Sequence, residues 1–494
     1  MRLFIFLLLA YAAPIPDTLF HAATPEKHLI ETMPGGVAVL DFDQDGLPDL
    51  FFTNAAHANR LYKNLGQNRW RDVTAKSGLE IAGVYSMGAS AADFDNDGLP
   101  DIFLTAVNHN RLYRNLGHGK FQAIEFPSTG WSISSGWFDY DHDGDLDLFI
   151  VNYVQWNPAT EPYCGDRQAG YRTYCHPKHY EGLPNSLFRN DGNNKFTDVS
   201  KSSGIAGQIG KGMALAFADY DRDGWLDVLI TNDAIPNFLF RNNHDGTFAE
   251  RGMQSGIGLN DDGRALSSMG ADFRDLNDDG LPDIFITALA NETFPLFLGQ
   301  RKGLFRDITY AAKVGAATLQ YSGWSTGIYD FDNDGRKDIF TANGDVNDNT
   351  EQFSGRKSKQ PNLFLWNTGA NTFRPEPIGS PAQHRGAAFA DFNNDGAIDL
   401  VTTSLGAPPT IWLNDRAQQN HWLIIETGLG AEVRIGNQHN QSTQAVGYAS
   451  SSSPLVHFGL GPASSVDEIE VKFPTGQTRR IRNPKTNQRL KINP

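Results

Sequence analysis

The chain has 494 residues and a formal net charge of −15 at pH 7, with 49 glycines, 32 phenylalanines and 2 cysteines. That length holds one large domain and a smaller companion, and the acidity argues against nucleic acid as a partner. Abundant glycine and phenylalanine without long amphipathic patterns point to an all-β protein rich in turns.

At the N-terminus, Met1-Arg2 precedes the apolar run Leu3 to Ala10 and the Ala10-Tyr11-Ala12 triplet. This pattern predicts a cleaved signal peptide over residues 1–12 and a secreted or periplasmic protein. The run is too short to cross a bilayer, and no other stretch approaches the roughly 20 apolar residues a span needs.

The phrase Asp-x-Asp/Asn-x-Asp-Gly-x-x-Asp then recurs seven times. Its oxygen-bearing positions 1, 3, 5 and 9 are Asp41, Asp43, Asp45 and Asp49 in the first copy, and Asp93, Asp95, Asp97 and Asp101 in the second. They are Asp139, Asp141, Asp143 and Asp147 in the third, and Asp219, Asp221, Asp223 and Asp227 in the fourth. The last three copies supply Asp275, Asn277, Asp279 and Asp283; Asp330, Asp332, Asp334 and Asp338; and Asp391, Asn393, Asp395 and Asp399. Alternate carboxylates around a glycine turn are the ligand set of a hard cation, so up to seven Ca²⁺ are expected. Position 7 shares no side-chain chemistry and is expected to offer its carbonyl. The two copies with asparagine at position 3 lose one charge and are expected to bind more weakly. Position 12 holds Phe52, Leu104, Ile150, Ile230, Ile286, Thr341 and Thr402, none of them the bidentate glutamate of an EF-hand. The flanks, Val37 to Leu40 and Leu50 to Thr53 for example, read as strands, so each loop is a β-hairpin turn.

Motif starts are 52, 46, 80, 56, 55 and 61 residues apart, the scale of a four-stranded propeller blade. A second hairpin follows each loop, opened by Asn59-Arg-Leu-Tyr-Lys-Asn64 and its echoes at Asn110–Asn115, Asn185–Asn190 and Asn237–Asn242. Two hairpins in each of seven units predict a seven-bladed β-propeller over residues 13–417, closed by Thr18–Thr24 pairing with Ile411–Leu413. The motif aspartates are 26 of the 57 acidic residues, so seven Ca²⁺, bringing +14, would almost cancel the net charge.

The long third spacing carries an insertion, residues 153–184, holding both cysteines, Cys164 and Cys175. In an exported chain these are expected to form a disulfide. A transition-metal cluster with His176 and His179 is the rival, disfavoured by the absence of a second cysteine pair. Tyr153, Trp156, Tyr163, Tyr171, Tyr174 and Tyr180 make the insertion aromatic, suited either to recognition or to packing on its own unit.

These repeats resemble the FG-GAP/VCBS repeats of integrin-type propellers. The final segment, residues 418–494, resembles an ASPIC/UnbV domain through Asn420-His-Trp-Leu423, Gly447-Tyr448, Val456-His-Phe-Gly-Leu-Gly461 and Val466 to Gly476. Together they are similar to the cartilage-acidic-protein-like family, whose inserted loop the stretch Tyr174-Cys175-His-Pro177 and Gly182-Leu-Pro184 also resembles. Two departures stand out: a shortening between Glu426 and Val433, and Phe473 where the family usually has tryptophan. The resemblance implies a calcium-binding propeller, and integrin-like propellers place their ligands on the face opposite the calcium loops.

No established catalytic motif is present. The expected role is therefore a monomeric extracellular or periplasmic binding, adhesion or scaffold protein for an unknown protein or glycan. The alternative is a calcium-dependent polysaccharide lyase or sugar dehydratase, for which His176, Lys178, His179 and Tyr180 are the candidates.

Overall fold

The computed structural model describes residues 13–14, 24–79, 83–127 and 130–494. The predicted signal peptide lies outside them, as do Leu19 and Phe20 of the expected closing strand.

The fold is all-β, with only short helical turns among the described residues. Each acidic phrase bends one strand back on the next. Val37–Leu40 pairs with Asp49–Phe52 across the first loop, and Arg60–Asn64 and Trp70–Asp72 complete an antiparallel sheet. The same four-strand order recurs from Ser86–Ala92 to Phe121–Glu125, from Ser132–Phe138 to Phe196–Asp198, from Gly212–Ala218 to Phe248–Glu250 and from Ala271–Arg274 to Leu304–Asp307. The last two units share one long strand, Phe373–Ala390: its first part completes the unit begun by Gly323–Tyr329, and its second part opens the final one. The innermost strand of each unit packs on that of the next, and Phe373–Ala390 packs back on Val37–Leu40, so the series closes on itself. The final unit takes its fourth strand from the N-terminus, with Ala13 opposite Ile411 and Pro14 opposite Thr410. Closure is thus made at the expected strand, by residues just ahead of Thr18–Thr24.

Two polar devices tie neighbouring units. In five units the asparagine ending or following the third strand reaches back one unit: Asn64 Nδ2 donates to Phe392 O, Asn115 to Phe42 O, Asn190 to Phe94 O, Asn242 to Tyr140 O and Asn414 to Phe331 O. Second-strand threonines reach forward, Thr53 Oγ1 to Met87 O and Thr105 Oγ1 to Ile133 O. Each bond gives a buried backbone carbonyl a side-chain donor from the neighbouring unit.

The C-terminal segment forms two small sheets. One joins Val456–Gly461, His421–Glu426 and Gln488–Lys491; the other joins Gln438–Gln441, Glu432–Ile435, Glu468–Lys472 and Thr478–Arg482. Between them, residues 445–453 enter the ring of innermost strands. Ser451 exchanges backbone bonds with Val37 and Val39, and Gly447 with Ala271. Ala89 N donates to Ala449 O, Ser453 N to Phe389 O, Ala449 N to Ser134 Oγ and Tyr448 N to Ser325 Oγ. Ala445 packs among Leu215 and Phe217, so every unit meets this segment. A Cβ on Gly447 would lie 2.1 Å from Ser325 Oγ, so only glycine permits the approach. Among the described residues no helix is long and apolar enough to cross a membrane.

Candidate metal loops and the two faces of the ring

In each loop the glycine at position 6 has a left-handed backbone, φ 85° at Gly46 and 95° at Gly224. Position 4 is left-handed too, at Gln44, Asn96, His142, Arg222, Asp278, Asn333 and Asn394. That second reversal turns alternate side chains inward. Position 1 then holds the turn: Asp45 N and Gly46 N donate to the two oxygens of Asp41 at 3.0 and 2.8 Å. Position 9 clasps the two hairpins of a unit. Phe42 N donates to Asp49 Oδ2 and Asn64 N to Asp49 Oδ1. Equivalent pairs of bonds serve Asp101, Asp147, Asp227, Asp283, Asp338 and Asp399.

Position 3 is different. Asp43, Asp95, Asp141, Asp221 and Asp332 each have one buried Oδ1 with no hydrogen-bond partner. A buried carboxylate oxygen left without a donor fits a cation as the missing partner. Ligand atoms from three aspartates of the same five loops lie within 4.8 Å of one another and could hold a metal ion. In the remaining two loops the asparagine folds back instead, Asn277 Nδ2 onto Asp279 Oδ2 at 3.1 Å and Asn393 Nδ2 onto Asp395 Oδ2 at 2.9 Å. Outer oxygens are met by the basic residue of the third strand: Lys63 pairs with Asp43 and Asp45, Arg114 with Asp95 and Asp97, and Arg241 with Asp221 and Asp223.

Burial pushes the position 9 carboxyls of Asp49, Asp101 and Asp147 up to about 8, opposed by the backbone bonds they accept. Burial likewise raises Asp139, Asp219, Asp275 and Asp391 to about 6. A cation in the loop would remove the reason for those protons.

The loops differ in what lies over them. A groove of about 980 Å³ separates the first three from the C-terminal sheets, with Asp41, Asp93 and Asp139 on one wall and Leu429, Phe473 and Arg489 on the other. The last four lie closer under those sheets, with a smaller cavity of about 220 Å³ between Asp275, Gly280, Glu432 and His439. Arg222 Nη1 meets Glu432 Oε1 at 2.6 Å, and His439 lies beside Gly280. Asn420 Nδ2 donates to Asp332 O, and Gly461 N to Asn333 O. Gly459 lies so close that a Cβ there would sit 1.9 Å from Asp330 Oδ2. The Trp422 ring packs on Gly396, whose carbonyl also contacts His457 Nε2 at 3.1 Å.

On the opposite face lies the insertion. Cys164 and Cys175 form a disulfide, and two short ribbons, Cys164–Gly165 with Arg172–Thr173 and Leu183–Pro184 with Ile209–Gly210, shape the loop. Tyr153, Tyr174 and Tyr180 are buried, so much of its aromatic content is packing, whereas Tyr163 is 45% exposed. Two of the residues weighed for catalysis are engaged within the insertion itself. His176 Nδ1 accepts Lys178 N, and Tyr180 donates its hydroxyl to Glu161, which also holds His28.

An antiparallel ring with acidic hairpins on one face and a β-rich segment docked over them defines a repeat-built protein of the propeller type. The chain belongs to the FG-GAP-like repeat family, whose pattern matches residues 41–104, 93–150, 180–230, 275–341 and 330–402, and it carries an ASPIC and UnbV domain at 426–494. It is 24% identical to cartilage acidic protein 1 of Xenopus tropicalis over 497 residues, covering 92% of this chain and 64% of that protein, less than two thirds of its length. It is 24% identical to the human protein of the same name over 500 residues, covering 92% of this chain and 71% of that one. Among solved structures it is similar to an Agrocybe aegerita lectin that recognises non-reducing terminal N-acetylglucosamine, with 16% identity, 76% of this chain and 87% of that chain covered, and a TM-score of 0.41.

Proposed function

We propose that this is an exported, calcium-stiffened, seven-bladed propeller, residues 13–417, with its C-terminal domain, residues 418–494, docked on the calcium loops. It acts as an extracellular or periplasmic binding or scaffold protein that presents the opposite face to a protein or glycan. Up to seven Ca²⁺ are held by the motif aspartates, with the loops of Asn277 and Asn393 the weakest. Their role is architectural: without cations each loop gathers three or four carboxylates whose repulsion favours opening the hairpin.

One observation carries the choice of face. Of the eight large apolar side chains exposed among the described residues, six (Tyr163, Ile209, Met253, Tyr310, Leu319 and Phe353) lie in connections on the face away from the acidic hairpins. Exposed apolar and aromatic side chains gathered on one face of a rigid scaffold mark recognition surfaces. The test is a screen of the full mature chain against glycans and surface proteins, with and without EDTA. Capture should be lost in a Tyr310→Ser/Leu319→Ser/Phe353→Ser variant and kept in Leu116→Ser/Leu304→Ser, which alters the other face. Loss in the second variant alone would overturn this reading. The lyase or dehydratase alternative predicts shortened acidic polysaccharide chains after incubation, abolished in His176→Ala or His179→Ala.

A further inference from the structure

The outer side of the disulfide-stapled ribbon carries two arginines; after a backbone hydrogen bond and Thr24, Arg172 helps hold the exposed Glu26 carboxyl below its ordinary range. Arg114, Arg222, Arg241 and Arg489 each lie against a carboxylate. Arg167 and Arg172 instead flank the exposed ring of Tyr163, their guanidinium carbons 5.6 and 4.8 Å from its centroid. Neither makes an ion pair among the described residues, and Arg172 Nε has no hydrogen-bond partner. The arrangement is held rather than draped. Cys164 is bonded to Cys175, Tyr163 donates its hydroxyl to Asp166 O at 2.9 Å, and Asn349 Nδ2 donates to both Gly170 O and Arg172 O. Tyr171 is seated edge-on against Phe353.

We propose that this Arg167–Tyr163–Arg172 surface binds a sulfated polysaccharide. The assignment rests on the loop-face reading above and names the partner's chemistry. Guanidinium groups form bidentate, charge-assisted bonds with tetrahedral oxyanions and planar carboxylates, and two of them fixed on a tyrosine are already ordered for it. In a chain of net charge −15, two neighbouring arginines without a direct ion-pair contact among the described residues are a point of charge complementarity for a polyanion. Tyr163 and Arg167 are exposed, so the patch suits a chain of repeated charges more than one small enclosed anion. An acidic peptide adding as a strand is disfavoured because Asn349 already occupies the carbonyls of Gly170 and Arg172.

The experiment uses the full oxidised chain in calcium buffer over immobilised heparin oligosaccharide, with desulfated heparin and polyglutamate as parallel surfaces. The expected result is salt-sensitive binding to heparin, weakened about tenfold or more in Arg167→Ala/Arg172→Ala and partly restored in Arg167→Lys/Arg172→Lys. The wild-type melting temperature should persist in both variants. Equal binding to desulfated heparin, tighter binding to polyglutamate, no binding to heparin, or indifference to the double alanine variant would each overturn the assignment. A chain that ignores heparin yet still captures a partner through Tyr310 and Leu319 overturns the sulfated ligand alone and leaves the loop-face reading standing.

Discussion

The first three acidic loops and the last four are written in nearly the same residues but sit in different surroundings. Asp41, Asp93 and Asp139 border an open groove, whereas the loops begun by Asp219, Asp275, Asp330 and Asp391 lie under Glu432, His439, Gly459 and Trp422. The local phrase therefore sets which atoms can gather round a cation, and the domain above sets how easily water and chelators reach them. A single motif repeated around a ring does not give equivalent sites. The C-terminal domain breaks the symmetry.

The largest expected effect tests what both sets share. EDTA should lower the melting temperature of the full chain by about 10 °C or more, because loss of several bound cations removes stabilisation tied to the folded state. An unchanged melting curve would rule out structural calcium. Next comes the cover itself. Gly459→Ala, which drives a Cβ toward Asp330 Oδ2, should cost roughly 2–3 kcal/mol by overpacking. Gly428→Ala, where a Cβ has open space, should cost less than about 1 kcal/mol in denaturant titration.

A smaller effect distinguishes loops by ligand charge. Asn277→Asp or Asn393→Asp should replace the folded-back amide with a fourth carboxylate and tighten that loop's calcium affinity, read by competition with a chromophoric chelator. Asp95→Asn should weaken one open loop.

The pH dependence of the metal-free chain is the subtlest prediction. Burial raises Asp49, Asp101 and Asp147 from 3.8 to about 8, and Asp139 and Asp219 to about 6. The folded chain then binds more protons than the unfolded one across that window, so stability falls as pH rises through it. In EDTA the melting temperature should be higher at pH 6 than at pH 8. With calcium that gain should vanish, because the cation takes the place of the proton.

Much of this could be read from residues alone, for physical reasons. The glycine at position 6 and the strand-forming flanks allow only a tight hairpin, and the spacing of the phrase counts four-stranded units. The disulfide followed from two cysteines in one insertion of a chain expected to be exported. Other features depended on partners distant in sequence. Asp49 was legible as an oxygen ligand, yet its bonds to Phe42 N and Asn64 N also make it the clasp between hairpins. The recurring asparagine of the third strand, absent only from the fifth unit, was visible as a pattern. Its bond to the preceding unit, Asn115 to Phe42 O for instance, was not, because nothing local specifies that neighbour. The left-handed position 4 left only a faint mark, in Asn96, Asn333 and Asn394. Gly447-Tyr448 appeared as a family mark, and its physical reason is the passage of residues 445–453 through the ring. His457, Gly459 and Trp422 likewise turn out to be docking residues against the loops.

Hydrogen exchange of the calcium-loaded full chain, followed from the moment EDTA is added, tests the central claim most directly. Amides of the open hairpins, around residues 37–52, 86–106 and 132–152, should lose protection first. Those of the covered hairpins, around residues 212–232, 271–286, 323–343 and 383–405, should lose it later, and Gly459→Ala should bring the 323–343 hairpin forward in time. Simultaneous loss from all hairpins, or protection that ignores EDTA, would contradict the account.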